Sequence, residues 1–162
     1  MSSNYTTNLK NKRVISVTGD ESEVFLNNII TNDVKKIETE KVIYSCLLSP
    51  QGKVISHFFI TKVKDQFLFI IDSFLFNELI EKLNFYKLES KIDIKEETEY
   101  RILFTLDNKH SINPVLEFND PRNKKLGKYL ILNQHIDKNI KLDNDDFYHK
   151  MINTYGLIDN IF

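Results

Sequence analysis

The sequence predicts an α+β protein built from antiparallel sheets with helices on one face. Apolar residues alternate with period two in several short segments and recur at helical spacing in others. The predicted elements of the first part of the chain follow the order β-α-β-β-β-α-β, as in an elaborated ferredoxin-like (split βαβ) arrangement. A charged stretch at 96–99 ends this pattern, and a partial second α+β unit begins there.

The first strand and helix of this pattern come early in the chain. Residues 13–19 alternate in polarity, as a half-buried strand does. Asp20 is a suitable N-cap, and Glu23 stands three residues further on, as in a capping box. Apolar side chains then recur at helical spacing, and the polar run Thr31–Asp33 predicts the end of the helix.

Three strands, a second helix and a further strand complete the first unit. The unbroken apolar run FLFIID predicts a strand that is buried on both faces. Asp72 or Ser73 can cap the helix that follows it. The predicted bounds are 42–48, 53–63 and 67–72 for the three strands, 74–88 for the helix and 91–95 for the last strand.

The chain is predicted to divide into a ferredoxin-like first unit at 1–97 and a second α+β unit at 98–162. The second unit has predicted strands at 100–107 and 128–134, separated by polar loops. Aspartates begin a final predicted helix at 143–156, which ends at a glycine.

Composition and charge argue against several classes of protein. The 162 residues include 22 basic and 23 acidic side chains, and the net charge of −1 argues against a polyanionic partner such as duplex DNA. Cys46 is the single cysteine, which cannot form an internal disulfide or hold an iron–sulfur cluster alone. The sequence shows no secretory signal and no apolar run of membrane-spanning length. We therefore predict a bacterial cytoplasmic protein, in preference to one of the mitochondrial matrix, with no nucleic-acid or membrane partner.

The usual signatures of catalysis are absent from the sequence. There is no glycine-rich phosphate loop, no nucleophile elbow and no metal-ligand spacing among the four histidines. His57 lies in an apolar strand and is expected to pack there, and Cys46 is expected to be a buried structural thiol. Three polar turns remain, in the segments ITNDV, SPQGKV and DPRNKKLGK. Each turn by itself favours a structural role, with Pro50 and Gly52 shaping a hairpin.

Taken in order, these turns resemble the YgfZ family. Members of that family are folate-binding proteins related to the T-protein (aminomethyltransferase) of the glycine cleavage system. The resemblance runs from about residue 9 to the end. It rests on the segments RVISVTGDESEVFLNNIITNDV, LLSPQGKV, DPRNKKLGKY and YHKMINTYGL.

The resemblance implies a T-protein/YgfZ-like fold that binds tetrahydrofolate. The single cysteine and the isolated histidines predict that this chain holds no metal. The resemblance also implies a role in assembling or maintaining iron–sulfur proteins, whose partners would be those proteins or their maturation machinery. An acidic or amide group would contact the pterin edge, and a basic group the glutamate tail. The cofactor-binding residues that it suggests are Asn32, Asp33, Gln51, Lys53 and Arg122.

The chain departs from the family pattern in three respects. The signature K-G-C-Y-x-G-Q and the C-terminal β-barrel are missing, and Glu89 stands where many members have an arginine. The second unit is therefore expected to be incomplete. The chain is interpreted as a fragment, the product of a split gene or a reduced homologue.

Three functions stay open at this level. The first is a tetrahydrofolate-binding accessory protein for iron–sulfur clusters, more a folate-dependent helper than an enzyme. The second is aminomethyl transfer with a lipoyl carrier, as in the T-protein. The third is a non-catalytic homologue that acts through a partner, which the apolar tail LIDNIF suggests.

Overall fold

The structure is a computed structural model that describes residues 4–133 and 140–157. It divides into two compact units, Asn11–Glu97 and a second unit in which the residues up to Lys10 join those from Thr98 onward. The predicted boundary at 1–97 therefore needs correction at its N-terminal end. The physical reason is that a strand before Lys10 forms backbone hydrogen bonds with a strand after Thr98. Most of the tail LIDNIF lies outside the described residues.

The unit Asn11–Glu97 contains a five-stranded antiparallel sheet and the helices that cover it. Its elements are β2 Lys12–Thr18, α1 Ser22–Ile29, a 3₁₀ turn Val34–Lys36, α2 Ile37–Glu40, β3 Val42–Leu48, β4 Val54–Val63, β5 Gln66–Asp72, α3 Ser73–Lys87 and β6 Asp93–Glu96. The strand order is β3-β4-β5-β2-β6. The short elements between Val34 and Glu40 were not predicted.

This strand order contains two split βαβ units. Neighbouring strands are antiparallel, so β2 and β4 run in the same direction with β5 between them. In the same way, β5 and β6 are parallel with β2 between them. The order confirms the predicted split βαβ arrangement, with β3 added as an edge strand beside β4.

The core of this unit lies between the sheet and its two longer helices. Side chains alternate between the two faces of a strand, so every second strand residue enters the core. Strand β5 is buried from Phe67 to Asp72, which confirms the prediction from its unbroken apolar run. The core side chains include Ile15 and Val17 of β2, Phe58 and Ile60 of β4, Phe69 and Ile71 of β5, Phe25 and Leu26 of α1, and Leu75, Phe76, Leu79 and Leu83 of α3.

The two helices begin in different ways. At α3 the predicted cap forms, because Asp72 Oδ1 accepts a hydrogen bond from Phe74 N at 3.1 Å. At α1 the predicted Asp20 cap is wrong. The N-cap residue is Glu21, and no side chain caps the helix, which begins at Ser22.

The close approach of Gly19 to the backbone before β6 explains this shift. Gly19 has φ +112°, and a Cβ there would overlap Lys91 O and lie 2.9 Å from Ile92 Cα. Glu21 uses its carboxylate to accept a hydrogen bond from Lys91 N at 2.7 Å, at the same contact. Packing between the two chain segments therefore sets the helix start in place of a capping box.

In the described residues, the elements of the second unit are β1 Thr6–Asn8, β7 Tyr100–Thr105, β8 Leu116–Asn119, β9 Lys128–Asn133 and α4 Asp146–Thr154. The strands form a four-stranded antiparallel sheet in the order β1-β7-β9-β8. Strands β7 and β9 and the helix correspond to predicted elements. Strands β1 and β8 were not predicted, because three and four residues are too few to show alternation.

The turn DPRNKKLG between β8 and β9 organises a buried polar network. Asp120 is 0% exposed and receives hydrogen bonds from Arg122 Nε at 3.0 Å and Arg122 Nη2 at 2.7 Å. Tyr129 OH donates to Asp120 Oδ2 at 3.0 Å and lies 3.1 Å from Tyr148 OH. Burial raises the pKa of Tyr129. Burial opposes the charge of Arg122, but hydrogen bonding and attraction to Asp120 outweigh it and raise the arginine pKa.

Substituting Gly19 tests the contact that positions α1. We expect Gly19→Ala to lower the free energy of unfolding by about 3 kcal/mol, because strain at positive φ and steric overlap add. Gly52→Ala is the control. Gly52 also has positive φ, +79°, but a Cβ there would meet nothing within 4 Å. Gly52→Ala should lower the free energy of unfolding by about 1 kcal/mol. Equal losses in urea denaturation would contradict the packing explanation.

Removing the Asp120 charge tests the buried network. Asp120→Asn should destabilise the second unit by about 3–5 kcal/mol, because it removes the buried carboxylate that neutralises the Arg122 charge. Glu117→Gln, at the partly exposed pair with Lys128, should cost about 1 kcal/mol. Near-ultraviolet circular dichroism of the buried tyrosines can follow both variants through urea denaturation. A loss below 1 kcal/mol for Asp120→Asn would show that the network is dispensable.

Candidate functional site

The segment after α1 lies along the outer edge of strand β3. Thr31 N donates to Cys46 O at 3.0 Å, and Cys46 N donates to Thr31 Oγ1 at 2.9 Å. Asn32 Nδ2 donates to Tyr44 O at 3.0 Å. An edge strand exposes unpaired backbone groups, and these bonds satisfy several of them. The ITND turn is therefore fixed to the sheet.

Asn32 and Asp33 differ in how much of their side chains the fold uses. Asn32 Oδ1 accepts hydrogen bonds from Asp33 N at 2.9 Å and Lys36 Nζ at 3.1 Å, while its amide nitrogen binds β3. Asp33 caps the 3₁₀ turn, with Oδ1 accepting from Lys35 N at 2.9 Å. Asn32 is thus a structural anchor, whereas the Asp33 carboxylate is exposed to solvent.

The SPQGKV turn is organised by Ser49, which the sequence analysis did not single out. Ser49 N donates to Lys53 O at 2.8 Å, and Gly52 N donates to Ser49 O at 2.9 Å. Ser49 Oγ accepts from Gln51 N at 3.3 Å and from Lys53 N at 3.2 Å. The side chains of Gln51 and Lys53 are exposed. The backbone therefore closes the turn and leaves an amide and an ammonium facing solvent.

The two turns lie at opposite ends of one stretch of β3. Asn32 contacts Tyr44, whereas the SPQGKV turn follows Leu48. Four residues separate these points, or about 13 Å at roughly 3.3 Å per residue of an extended strand. The predicted residues of this unit therefore do not converge on one point. They flank a strip of β3 instead.

The strip between the turns has an aromatic surface that the sequence analysis missed. Tyr44 and Cys46 are half-buried and alternate with residues of the core cluster. The Tyr44 ring lies 5.8 Å from the His57 ring and 5.9 Å from the Phe59 ring. His57 is buried among these groups, which confirms that it packs in the sheet. Cross-strand pairing of β3 with β4 places these rings together. The period-two alternation of both strands is the sequence feature from which this pairing could have been predicted.

Cys46 lies on the same strip, directly opposite His57 in the strand pairing. It is half-buried, where the sequence analysis expected a buried thiol. Burial raises the pKa of its thiol, and hydrogen bonds from the Thr31 and Tyr44 side chains only partly oppose this shift. A thiol with a raised pKa is a poor nucleophile at neutral pH.

Arg122, the fifth residue suggested by the resemblance, lies in the other unit. Its side chain is 9% exposed, and its guanidinium is held by Asp120 through a forked pair of hydrogen bonds. This geometry gives Arg122 a role in closing the turn before β9. The other four residues all lie in the unit Asn11–Glu97.

The described residues show neither a metal-binding cluster nor a membrane-spanning helix. Among residues 4–133 and 140–157, no group of three or more His, Cys, Asp or Glu side chains is placed to hold a metal ion. Within the same ranges, no helix has both the length and the apolar character needed to cross a bilayer.

The chain has an α+β fold that matches the fold of an aminomethyltransferase. The crystal structure of the glycine cleavage system aminomethyltransferase T from Bartonella henselae matches it with a TM-score of 0.64. That match covers 96% of this chain and 47% of the other at 10% sequence identity, and it supports the predicted fold class. The family model described as the GCVT N-terminal domain matches residues 6–107. The chain therefore belongs to the GCVT N-terminal domain family.

Curated relatives of two kinds resemble the chain. The iron–sulfur cluster assembly factor IBA57 homolog of Neurospora crassa is 31% identical over 117 residues, which are 67% of this chain and 26% of that protein. The corresponding protein of Mycosarcoma maydis is 24% identical over 131 residues, 70% of this chain and 32% of its own length. An aminomethyltransferase of Burkholderia mallei is 33% identical over 81 residues, 44% of this chain and 22% of that enzyme. The chain spans about a third or less of the length of these relatives.

These matches confirm the resemblance to a YgfZ/T-protein-related family and correct one prediction. The predicted location in the bacterial cytoplasm is contradicted. The matched iron–sulfur assembly factors are named as mitochondrial proteins, and they come from fungi.

The Cys46 environment makes a prediction about reactivity. Only the thiolate reacts with iodoacetamide, so a raised pKa should slow alkylation at pH 7.5 relative to an ordinary thiol. The reference is the same chain unfolded in urea, where Cys46 is solvated. As the pH is raised, the alkylation rate of the folded protein should increase with a midpoint at a higher pH than that of the unfolded chain. Equal rates in both states at pH 7.5 would refute the effect of burial.

Proposed function

We propose that this chain is a tetrahydrofolate-binding accessory protein for the assembly or maintenance of iron–sulfur clusters. The observation that carries the proposal is membership of the GCVT N-terminal domain family, together with similarity to IBA57 homologs named as iron–sulfur cluster assembly factors. The chain spans about a third or less of the length of those proteins, so their role is proposed for it on the basis of similarity.

The chemistry of the β3 strip fits a reduced folate. A folate is elongated, with a hydrogen-bonding pterin at one end and glutamate carboxylates at the other. Asp33 supplies an exposed carboxylate for the donor groups of a pterin, and Asn32 holds the turn that presents it. Lys53 supplies an ammonium for the glutamate carboxylates, and Gln51 adds an amide. The length of β3 between the two turns suits the separation of these ends.

The half-buried aromatic surface forms the central part of the proposed folate site, between the two turns. Flat ligands bind where apolar walls are combined with a few polar groups. Tyr44, with His57 and Phe59 beside it, provides such a wall on β3 and β4. Arg122 stabilises the other unit through its bond to Asp120 and is given no ligand contact in this proposal. Iron–sulfur clusters would be cargo handled with partner proteins, since this chain has one cysteine.

Calorimetric titration with tetrahydrofolate tests the ligand. We expect saturable binding to the full chain, weakened about five- to tenfold by Asp33→Asn or Lys53→Gln, since each substitution removes one charge-assisted hydrogen bond. The Asp33→Asn variant keeps the oxygen that caps Lys35 N, so the fold should persist. Absence of saturable heat at high micromolar protein would exclude the folate site.

Matched controls come from the hairpin at the other end of β4. Asp65→Asn and Lys64→Gln alter an exposed acid and an exposed base there. Their affinity for tetrahydrofolate should stay within twofold of the unmodified chain.

The accessory role is tested separately by measuring the cluster content of iron–sulfur proteins in cells without the gene. Unchanged cluster content would reject that role even if folate binds.

Aminomethyl transfer is a second candidate, favoured by the 33% identity to an aminomethyltransferase over 81 residues. The assay supplies an aminomethyl group on a lipoyl carrier and measures methylenetetrahydrofolate. Turnover would favour transfer over the accessory role. Folate binding without turnover is the result that our proposal expects.

A further inference from the structure

Helix α3 carries a strip of exposed side chains on the side that faces away from the core. We call this the α3 strip: Phe74, Glu78, Glu81, Phe85 and Leu88. Phe74 is 72% exposed, Phe85 is 70% exposed and Leu88 is 84% exposed. The residues that α3 buries are Leu75, Phe76, Leu79 and Leu83, on the opposite side.

Helical geometry aligns the members of the strip. Phe85 follows Phe74 by eleven residues, which at about 100° per residue is within roughly 20° of three full turns. Glu78 and Glu81 lie on the turns between the two rings. Single exposed apolar residues are ordinary, but a row of them along one helix is typical of an interaction surface.

The backbone of Leu88 is a second and independent observation. Leu88 ends α3 with φ 47° and ψ −120°, a conformation that favours glycine. A leucine there is strained, and its side chain is the most exposed of the large apolar residues in the described chain. The position therefore loses stability twice, through strain and through apolar exposure. Strain of this kind is retained where the residue serves a function.

The charges of the strip indicate the chemistry of the partner. Glu78 and Glu81 are exposed, and in the described residues neither has a cation within ion-pair distance. Two copies of this chain joined about a two-fold axis would set these acids against each other, which is unfavourable. A partner segment with basic side chains between two apolar ones would instead pack on the rings and pair with the carboxylates.

We propose that the α3 strip docks a basic amphipathic helix of a partner protein. Aliphatic side chains of that helix pack on Phe74, Phe85 and Leu88, and lysine or arginine side chains between them pair with Glu78 and Glu81. This docking does not depend on tetrahydrofolate, and it lies on a different element from the β3 strip.

A synthetic helical peptide serves as the probe. It carries leucines at positions i and i+11 of one face and arginines at i+4 and i+7, which mirrors the strip. Fluorescence anisotropy should show saturable binding to the full chain, weakened at least tenfold by Glu78→Lys with Glu81→Lys. Glu38→Lys with Glu40→Lys is the matched control, because these acids are exposed on a different helix, α2. That pair should change the affinity less than twofold.

Leu88→Gly separates docking from folding. The substitution relieves the strained backbone, so the urea midpoint should rise while affinity for the peptide falls at least threefold. The proposal is overturned if the peptide shows no saturable binding, if the α2 control pair weakens binding equally, or if the chain self-associates in sedimentation and Phe85→Ser abolishes this. A midpoint that falls in Leu88→Gly would also overturn it, because the strain argument would then be wrong.

Discussion

The exposed backbone of strand β3 is the constraint on which the candidate site depends. An edge strand offers unpaired amide and carbonyl groups to solvent or to another chain. Here the segment after α1 occupies part of that edge, through Thr31 and Asn32. The pairing explains why α1 must end where it does and why a polar turn follows it. It also fixes Asp33 at one end of a strip whose other end is the SPQGKV turn.

Much of the first unit could be predicted from sequence because its signals are local and repeated. The apolar run of β5, the period-two strands and the stripe of α3 each express burial along many residues. The start of α1 could not be predicted in the same way. Asp20 and Glu23 satisfy the local capping pattern, but contact between Gly19 and the chain at Lys91 decides the outcome. That contact joins residues far apart in sequence, so no local rule contains it.

The site was predictable as a set of turns but not as an arrangement. The resemblance singled out Gln51 and Lys53, whereas the turn is built by Ser49, a residue with no distinctive local pattern. Tyr44 was missed because its importance comes from its ring neighbours on β4. Arg122 illustrates the opposite case, since a recognisable motif residue serves a buried network in the other unit. Motifs thus identify the segments that matter, while pairing and burial decide what each side chain does.

The strand pairing of the second unit has a consequence for the order of folding. Thr6 pairs with Thr105, so β1 waits for a partner strand that lies about a hundred residues further along the chain. The whole unit Asn11–Glu97 lies between these strands in sequence, and its own pairings close within it. Once that unit folds, it shortens the loop that must be closed to join β1 to β7, and so reduces the entropy cost of doing so. Strand β1 is therefore made before the unit Asn11–Glu97 and is fixed in its sheet after β7 has been made.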